Sequence, residues 1–379
     1  IAGDLERIAE DVEMHSQCVE PDNAGTAVEV IREELRHTVL EERKYHREAE
    51  VNKNRVALGE IQDGKRSWDS NLVVAKAKEL KKKPLSMDDY LGLQSALIQD
   101  KENIDNFLKV DNVLAALVRD LSGTNPAIQL VSANCCCNIA LANSKACSAL
   151  AKTAGPYLVA ELDTLNYPLV EVCAWTIGNL SGGSETAFQA LYAQGCLKRL
   201  HGLLNDCEAL ILPAVLYAVK HCLRAGHAIV PDSEMVELTR TVIHSLHFNE
   251  PDTLWLLALL SSREACSHSL CPILPMVFDH LIFFIFQVSA AIRLFGNTVS
   301  EPTGAAADAI LRNPNEKVVK LFDKLLSHPQ IDVRKETLWL IGNLYCHSLP
   351  RISLRTRDIV PLLPYLKQAA SLWRNSAPE

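Results

Sequence analysis

The chain has 379 residues and a formal net charge of −8, with 48% hydrophobic and only 6% aromatic residues. An acidic balance without a concentrated basic surface argues against direct nucleic-acid binding. The absence of a Gly-rich phosphate loop, a nucleophile elbow or a supported carboxylate pair leaves no enzyme or cofactor reading.

The chain begins at Ile1, so a natural start ahead of it is expected. Residues 1 to 27 carry two helical pieces around a loop at Pro21–Gly25. From about Val28 to Ala57 the sequence predicts one long, highly charged helix, with Val28, Ile31, Leu35 and Val39 at helical spacing. The periodicity fades after Leu40, which weakens a coiled-coil reading. Residues 62–71 read as a linker. The basic run Lys76, Lys78, Lys81, Lys82 and Lys83 comes next, either as a solvated surface or as a segment that occupies a groove elsewhere in the chain. Residues 1–85 are assigned to this N-terminal helical extension and linker, and residues 86–379 to a domain of helical repeats.

Beyond Ser86 the sequence repeats. Six segments align, with their sixth positions at Asn134, Trp175, Tyr217, Trp255, Arg293 and Trp339, at intervals of 41, 42, 38, 38 and 46 residues. That is the period of armadillo or HEAT-type helical repeats, so the predicted fold is all-α: a right-handed superhelical solenoid of about six to seven repeats. Prolines at 126, 168, 251 and 329 mark turns that open units. The last unit ends in an apolar helix without a polar outer face, so the array is expected to be truncated. Leu281–Ile292 is the most membrane-like stretch, but it is too short to span a bilayer and reads as a buried repeat helix.

Twelve cysteines lie in no regular framework, three of them consecutive at Cys135, Cys136 and Cys137, and they read as small buried residues in a reducing compartment. Adjacent helix positions point about 100° apart, so the trio shares no metal, and Cys266-Ser-His268-Ser-Leu-Cys271 lacks a second ligand pair.

Residues i and i+4 share a helix face, so Trp175 with Asn179 and Trp339 with Asn343 each place an indole beside an amide. Asn134 with Asn138 and Arg293 with Asn297 stand at the same phase, while Tyr217 is followed by His221 and Trp255 by Leu259. If this helix is the third of each repeat, it lines a concave groove in which Asn bonds the N–H and C=O of an extended peptide and indole faces hold Lys or Arg stems. Structurally blander, the same residues are core anchors and helix ends.

The series resembles importin-α, the armadillo adaptor of nuclear import. Ala174–Ser184 is similar to that family's second repeat, Ala291–Val299 to its fifth, where Arg stands in place of Trp, and Arg334–Asn343 to its sixth. The resemblance spans about residues 86–370. Residues Glu34–Tyr45 and Asn52–Val56 are similar to the importin-β-binding helix, although residues 32–56 hold seven Lys or Arg against six Glu. It implies a non-enzymatic adaptor or dedicated chaperone in cytoplasm and nucleus, holding a basic or extended segment of a protein cargo and engaging importin-β through its N-terminal helix, without membrane insertion. The first, third and fourth rungs depart from the family pattern, at Asn134, at Tyr217 with His221, and at Leu259. A structural armadillo scaffold of a larger assembly, without transport, is the alternative.

Overall fold

Several helix starts before residue 190 are written in short polar residues. In the computed structural model, which describes residues 55–59, 68–206, 208–244, 250–283 and 288–374, all regular structure is helical. Helix α1 (Ser70–Leu80) opens where the Asp69 side chain accepts the N–H of Leu72, and α2 (Met87–Gln99) where Ser86 accepts that of Asp89. Three helix triads come next. The first is α3 (Lys101–Leu108), α4 (Val113–Leu121) and α5 (Pro126–Ile139), the second α6 (Ser144–Thr153), α7 (Gly155–Glu161) and α8 (Tyr167–Gly183), and the third α9 (Glu185–Ala193), α10 (Cys196–Asn205) and α11 (Leu212–Ala225). Pro126 stands in the first turn of α5, where its missing N–H costs nothing, and Asn125 caps Ala127 and Ile128.

The third helix of each triad is its longest and stacks on the third helix of the next: α2 on α5, α5 on α8, α8 on α11. Such a helix is covered on most of its circumference, which is why α8 has no clean polar face. Val170, Cys173, Ala174, Ile177 and Leu180 are all fully buried. Each large aliphatic side chain so buried contributes about 2 kcal/mol, while Cys and Ala let the helices approach closely. Cys135, Cys136 and Cys137 are buried in the same way on α5.

The chain divides into two compact units, with a boundary between Val230 and Pro231. From Pro231 onward a helix pair, α12 (Asp232–His244) and α13 (Pro251–Leu260), precedes two triads. These are α14 (Glu264–Leu270), α15 (Leu274–Phe283) and α16 (Val288–Thr298), then α17 (Ala305–Leu311), α18 (Asn315–Leu326) and α19 (Ile331–Tyr345), with α20 (Pro350–Ile359) and α21 (Leu366–Arg374) at the end. Here too the third helices stack, α13 on α16 and α16 on α19.

Two sequence expectations are revised. Most of the helix expected over residues 28–57 lies outside the described residues, but its end does not form: Arg55–Gly59 has no helical structure, because side chains of the repeat array take the backbone groups of Val56 and Leu58. The basic run is not a groove-filling strand. Lys76 and Lys78 lie on α1, and Lys81 caps its end. Val73, Ala77 and Leu80 form the fully buried stripe of that helix, which packs on α2, α3 and α4. Lys76 is held by Asp89 at 2.7 Å and Glu79 at 3.1 Å, and Lys78, Lys81, Lys82 and Lys83 are exposed. Residues 70–80 thus pack with the repeats rather than standing ahead of them. Of the apolar stretch 281–292, the described residues 281–283 lie in α15 and 288–292 in α16, as expected of a segment inside the repeats, with Leu281, Val288 and Ala290–Ile292 buried. No described helix is long and apolar enough to cross a membrane.

Candidate functional site

The ladder asparagines share one piece of local geometry. Each sends one N–H of its amide into the preceding third helix: Asn138 to the carbonyl of Gln94 at 3.0 Å, Asn179 to that of Cys137 at 3.3 Å, Asn297 to that of Ala258 at 3.2 Å and Asn343 to that of Gly296 at 3.1 Å. One bond ties the repeats and fixes the amide plane. At Asn138 and Asn179 the second N–H and the carbonyl oxygen meet what lies against the ladder, whereas at Asn297 the second N–H goes to Ser261.

In the unit ending at Val230 that occupant is the chain itself. Asn179 accepts the N–H of Val56 at 2.9 Å and donates to its carbonyl at 2.7 Å. Asn138 accepts the N–H of Leu58 at 2.9 Å and donates to its carbonyl at 2.8 Å, where Gln94 adds a bond at 3.0 Å. In an extended chain the N–H and C=O of one residue point to the same side and those of the next residue to the other, so two asparagines pin alternate residues. Ala57, between them, is exposed. The segment runs against the order of the repeats and leaves both asparagine side chains fully buried.

Arg55 enters deeper. Its guanidinium donates to the carbonyls of Ala140 at 2.7 Å and Ala142 at 3.1 Å, both just past the end of α5, and lies 3.7 Å from the Cys147 sulfur. A Cβ on Gly183 would stand 2.7 Å from both the guanidinium nitrogen and that sulfur, so glycine makes the space for this contact. Burial pushes the Cys147 thiol up, opposed in part by the Arg55 charge, and burial takes the Cys137 thiol, 3.6 Å from the Val56 carbonyl, up to about 12.

The other sequence-derived positions divide. Asn134 bonds the Gln94 side chain at 3.4 Å and so steadies a group that touches Leu58. Trp175 is half-buried, its indole 4.9 Å from the Tyr217 ring and its N–H toward Glu171. Tyr217 donates its hydroxyl to Asn179 at 2.7 Å, which orients the amide from its far side. His221, 4.3 Å from the Tyr217 ring, is buried, and desolvation with the nearby charges of Lys220, Arg224 and Arg55 pushes it down to about 3. It is a neutral packing ring.

In the unit from Pro231 onward the ladder presents charge and open rings. The Arg293 guanidinium lies 5.6 Å from the Trp255 ring centroid and pairs with Glu336, while Trp255 and Trp339 are 36% and 40% exposed. Asn297 gives its second N–H to Ser261 at 2.9 Å.

Sequence reasoning missed Gln94 and Arg55–Gly59. Gln94 stands 40 residues before Asn134, one period earlier, so extending the ladder back by one repeat identifies it. The glycine before three of the ladder asparagines was also unread. Cβ atoms at Gly178 and Gly296 would meet the rings of Tyr217 and Trp339 at 2.5 and 2.1 Å, so each glycine seats the aromatic of the next rung; at Gly342 nothing lies within 4 Å.

No family model matches the chain. Importin subunit alpha-9 of Arabidopsis thaliana is 25% identical over 263 residues, covering 65% of this chain and 50% of that protein, so the chain spans about half the length of this curated relative. Among solved structures an engineered protein superposes with a TM-score of 0.60 at 20% identity, covering 72% of this chain and 67% of the other. A designed armadillo repeat protein gives a TM-score of 0.42 at 17% identity over 72% of this chain and 99% of its own. The chain has an all-helical, armadillo-type repeat fold, and its sequence is similar to an importin-α over the matched stretch.

Proposed function

We propose that this protein is a non-enzymatic binding adaptor or dedicated chaperone that holds an extended segment of a client protein along the ladder of third helices, with its own Arg55–Gly59 as an internal competitor. The observation that carries the reading is the pinning of alternate backbone residues by Asn138 and Asn179. A side-chain amide that bonds both N–H and C=O of one residue reads extended backbone whatever the sequence, as a receptor for an unfolded segment requires. Tethering places the internal segment at an effective concentration of order mM, so a client has to exceed a weak but ever-present rival.

Similarity to an importin-α supports placing this activity in cytoplasm and nucleus, in nuclear import, with a basic or extended cargo segment. An importin-β-type receptor that engaged the charged stretch before residue 55 would draw Arg55–Gly59 out of its seat and open the ladder to cargo.

The test uses full-length protein unlatched by Val56→Pro with Leu58→Pro, which deletes the two N–H groups that the asparagines accept and leaves the array intact. A fluorescent extended peptide should bind this form ~10- to 100-fold more tightly than the parent, within the range that removing a tethered competitor allows. Adding Asn138→Ala and Asn179→Ala should abolish the gain. Equal affinity of all three proteins, each shown folded by its thermal transition, overturns the reading.

A further inference from the structure

The lysine run that stays out of the groove builds an ordered surface of its own. Its main chain is held: the N–H groups of Lys81, Lys82 and Lys83 bond the carbonyls of Ala77 and Glu79 at 2.9 to 3.3 Å, and Arg119 of α4 donates to the Leu80 carbonyl at 3.1 Å. Leu80 and Leu85, which flank the three lysines, are buried, so the lysine side chains stand in water on a fixed turn at the end of α1. Charge is concentrated there. Residues 76–83 hold five lysines and the single acid Glu79, on a chain whose net charge is −8. Lys76 is paired with Asp89 and Glu79, and Lys83 reaches Glu79 at 3.4 Å with 70% of its side chain exposed. Among the described residues no carboxylate pairs with Lys78, Lys81 or Lys82.

We propose that this end of α1 is a docking surface for a short acidic segment of a partner protein, recognised through several carboxylates. It is separate from the asparagine ladder and does not rest on the reading of that ladder as a client site.

Charge complementarity names the occupant. Lys81 and Lys82 follow Lys78 at i+3 and i+4, so three ammonium groups leave one side of the helix end and repel one another. The negative end of the helix tempers that repulsion and leaves the charge in place. A row of carboxylates relieves it. An exposed ion pair is individually weak and acts mainly on encounter, so the surface rewards a segment with several acids over a single one. The fixed turn lowers the ordering cost, because the lysine side chains alone have to settle on binding. A long polyanion or an anionic bilayer fits less well, since either would extend past this turn onto a molecule whose remaining charge is negative.

The experiment titrates fluorescent octaglutamate against the full-length protein at low and high salt. One variant carries Lys78→Gln, Lys81→Gln and Lys82→Gln, and a second carries arginine at the same three positions. A third removes the same charge from exposed lysines elsewhere in the unit, by Lys145→Gln, Lys152→Gln and Lys198→Gln. The parent, the arginine variant and the scattered variant should bind alike, more weakly at high salt, while the first variant should bind about tenfold more weakly, as the loss of three exposed pairs implies. Equal weakening in the two glutamine variants would reduce the effect to net charge and overturn the proposal, as would no binding at low salt. A short DNA duplex or phosphatidylserine vesicles that bind more tightly than octaglutamate through the same three lysines would overturn the assignment to a protein partner.

Discussion

The two units carry the same ladder among different neighbours. Up to Val230 the rungs are neutral and filled: Asn138 and Asn179 are fully buried beneath the chain's own segment, Tyr217 braces the amide, and the arginine of the site belongs to the guest. From Pro231 onward the arginine belongs to the ladder. Arg293 lies over the Trp255 ring and pairs with Glu336, and Trp339 is 40% exposed. Both sets of asparagines make the same bond to the preceding helix, so that bond builds the repeat rather than the specificity. What differs is the neighbours of the rungs, Tyr217 and the Arg55–Gly59 segment in one unit and Arg293 with Glu336 in the other.

The largest expected effect concerns access. In the unlatched Val56→Pro, Leu58→Pro protein, alkylation of Cys147 should speed up by tenfold or more, on the order of the loss of a contact worth ~1.4 kcal/mol, because Arg55 no longer covers the thiol. Exposed Cys346 in the other unit should react at the same rate in both proteins. Mass spectrometry of partly alkylated protein reads both sites at once, and an unchanged Cys147 rate would break the contrast between a ladder covered by Arg55–Gly59 and one that is not covered by it.

A smaller effect sharpens it. Gly178→Ala drives a Cβ into the Tyr217 ring, which is buried and has no room to yield, and should cost about 1–3 kcal/mol in chemical denaturation. Gly296→Ala meets the Trp339 ring, which is 40% exposed and free to swing outward, so its cost should be lower. Gly342→Ala, with nothing near its Cβ, should be neutral or slightly stabilising through helix propensity. Equal losses at 178 and 296 would show that the two ladders are equally rigid.

The smallest effect is electrostatic. Glu336→Gln removes the partner of Arg293, but that arginine side chain is 48% exposed, so stability should fall by less than ~1 kcal/mol and less still at high salt. A larger loss would mean that the pair holds the second ladder together.

The repeat period, the position of each rung and the clamp asparagines were legible in the sequence, because a 3.6-residue helix and a repeating triad impose local spacings that survive in the string of letters. Asn134, read as an altered first rung, bonds the Gln94 side chain, a partner one repeat earlier than the ladder the sequence reading began with. Trp175 contacts Tyr217, and Tyr217 in turn bonds Asn179, so these rungs are joined to one another.

The letters alone carry a local grammar: helices capped by Ser, Asp and Asn, apolar faces at helical spacing, and glycine ahead of the rung asparagine. Long-range packing settles which segment fills the groove. The lysine run lies next to the repeats in the chain and has the charge expected of a guest, but Val73, Ala77 and Leu80 commit it to a packed helix. The guest is Arg55–Gly59, bonded to side chains 80 and 123 residues away. Asparagine reads backbone, and backbone carries no letter, so a pairing at that separation leaves no spacing in the sequence from which it could be read.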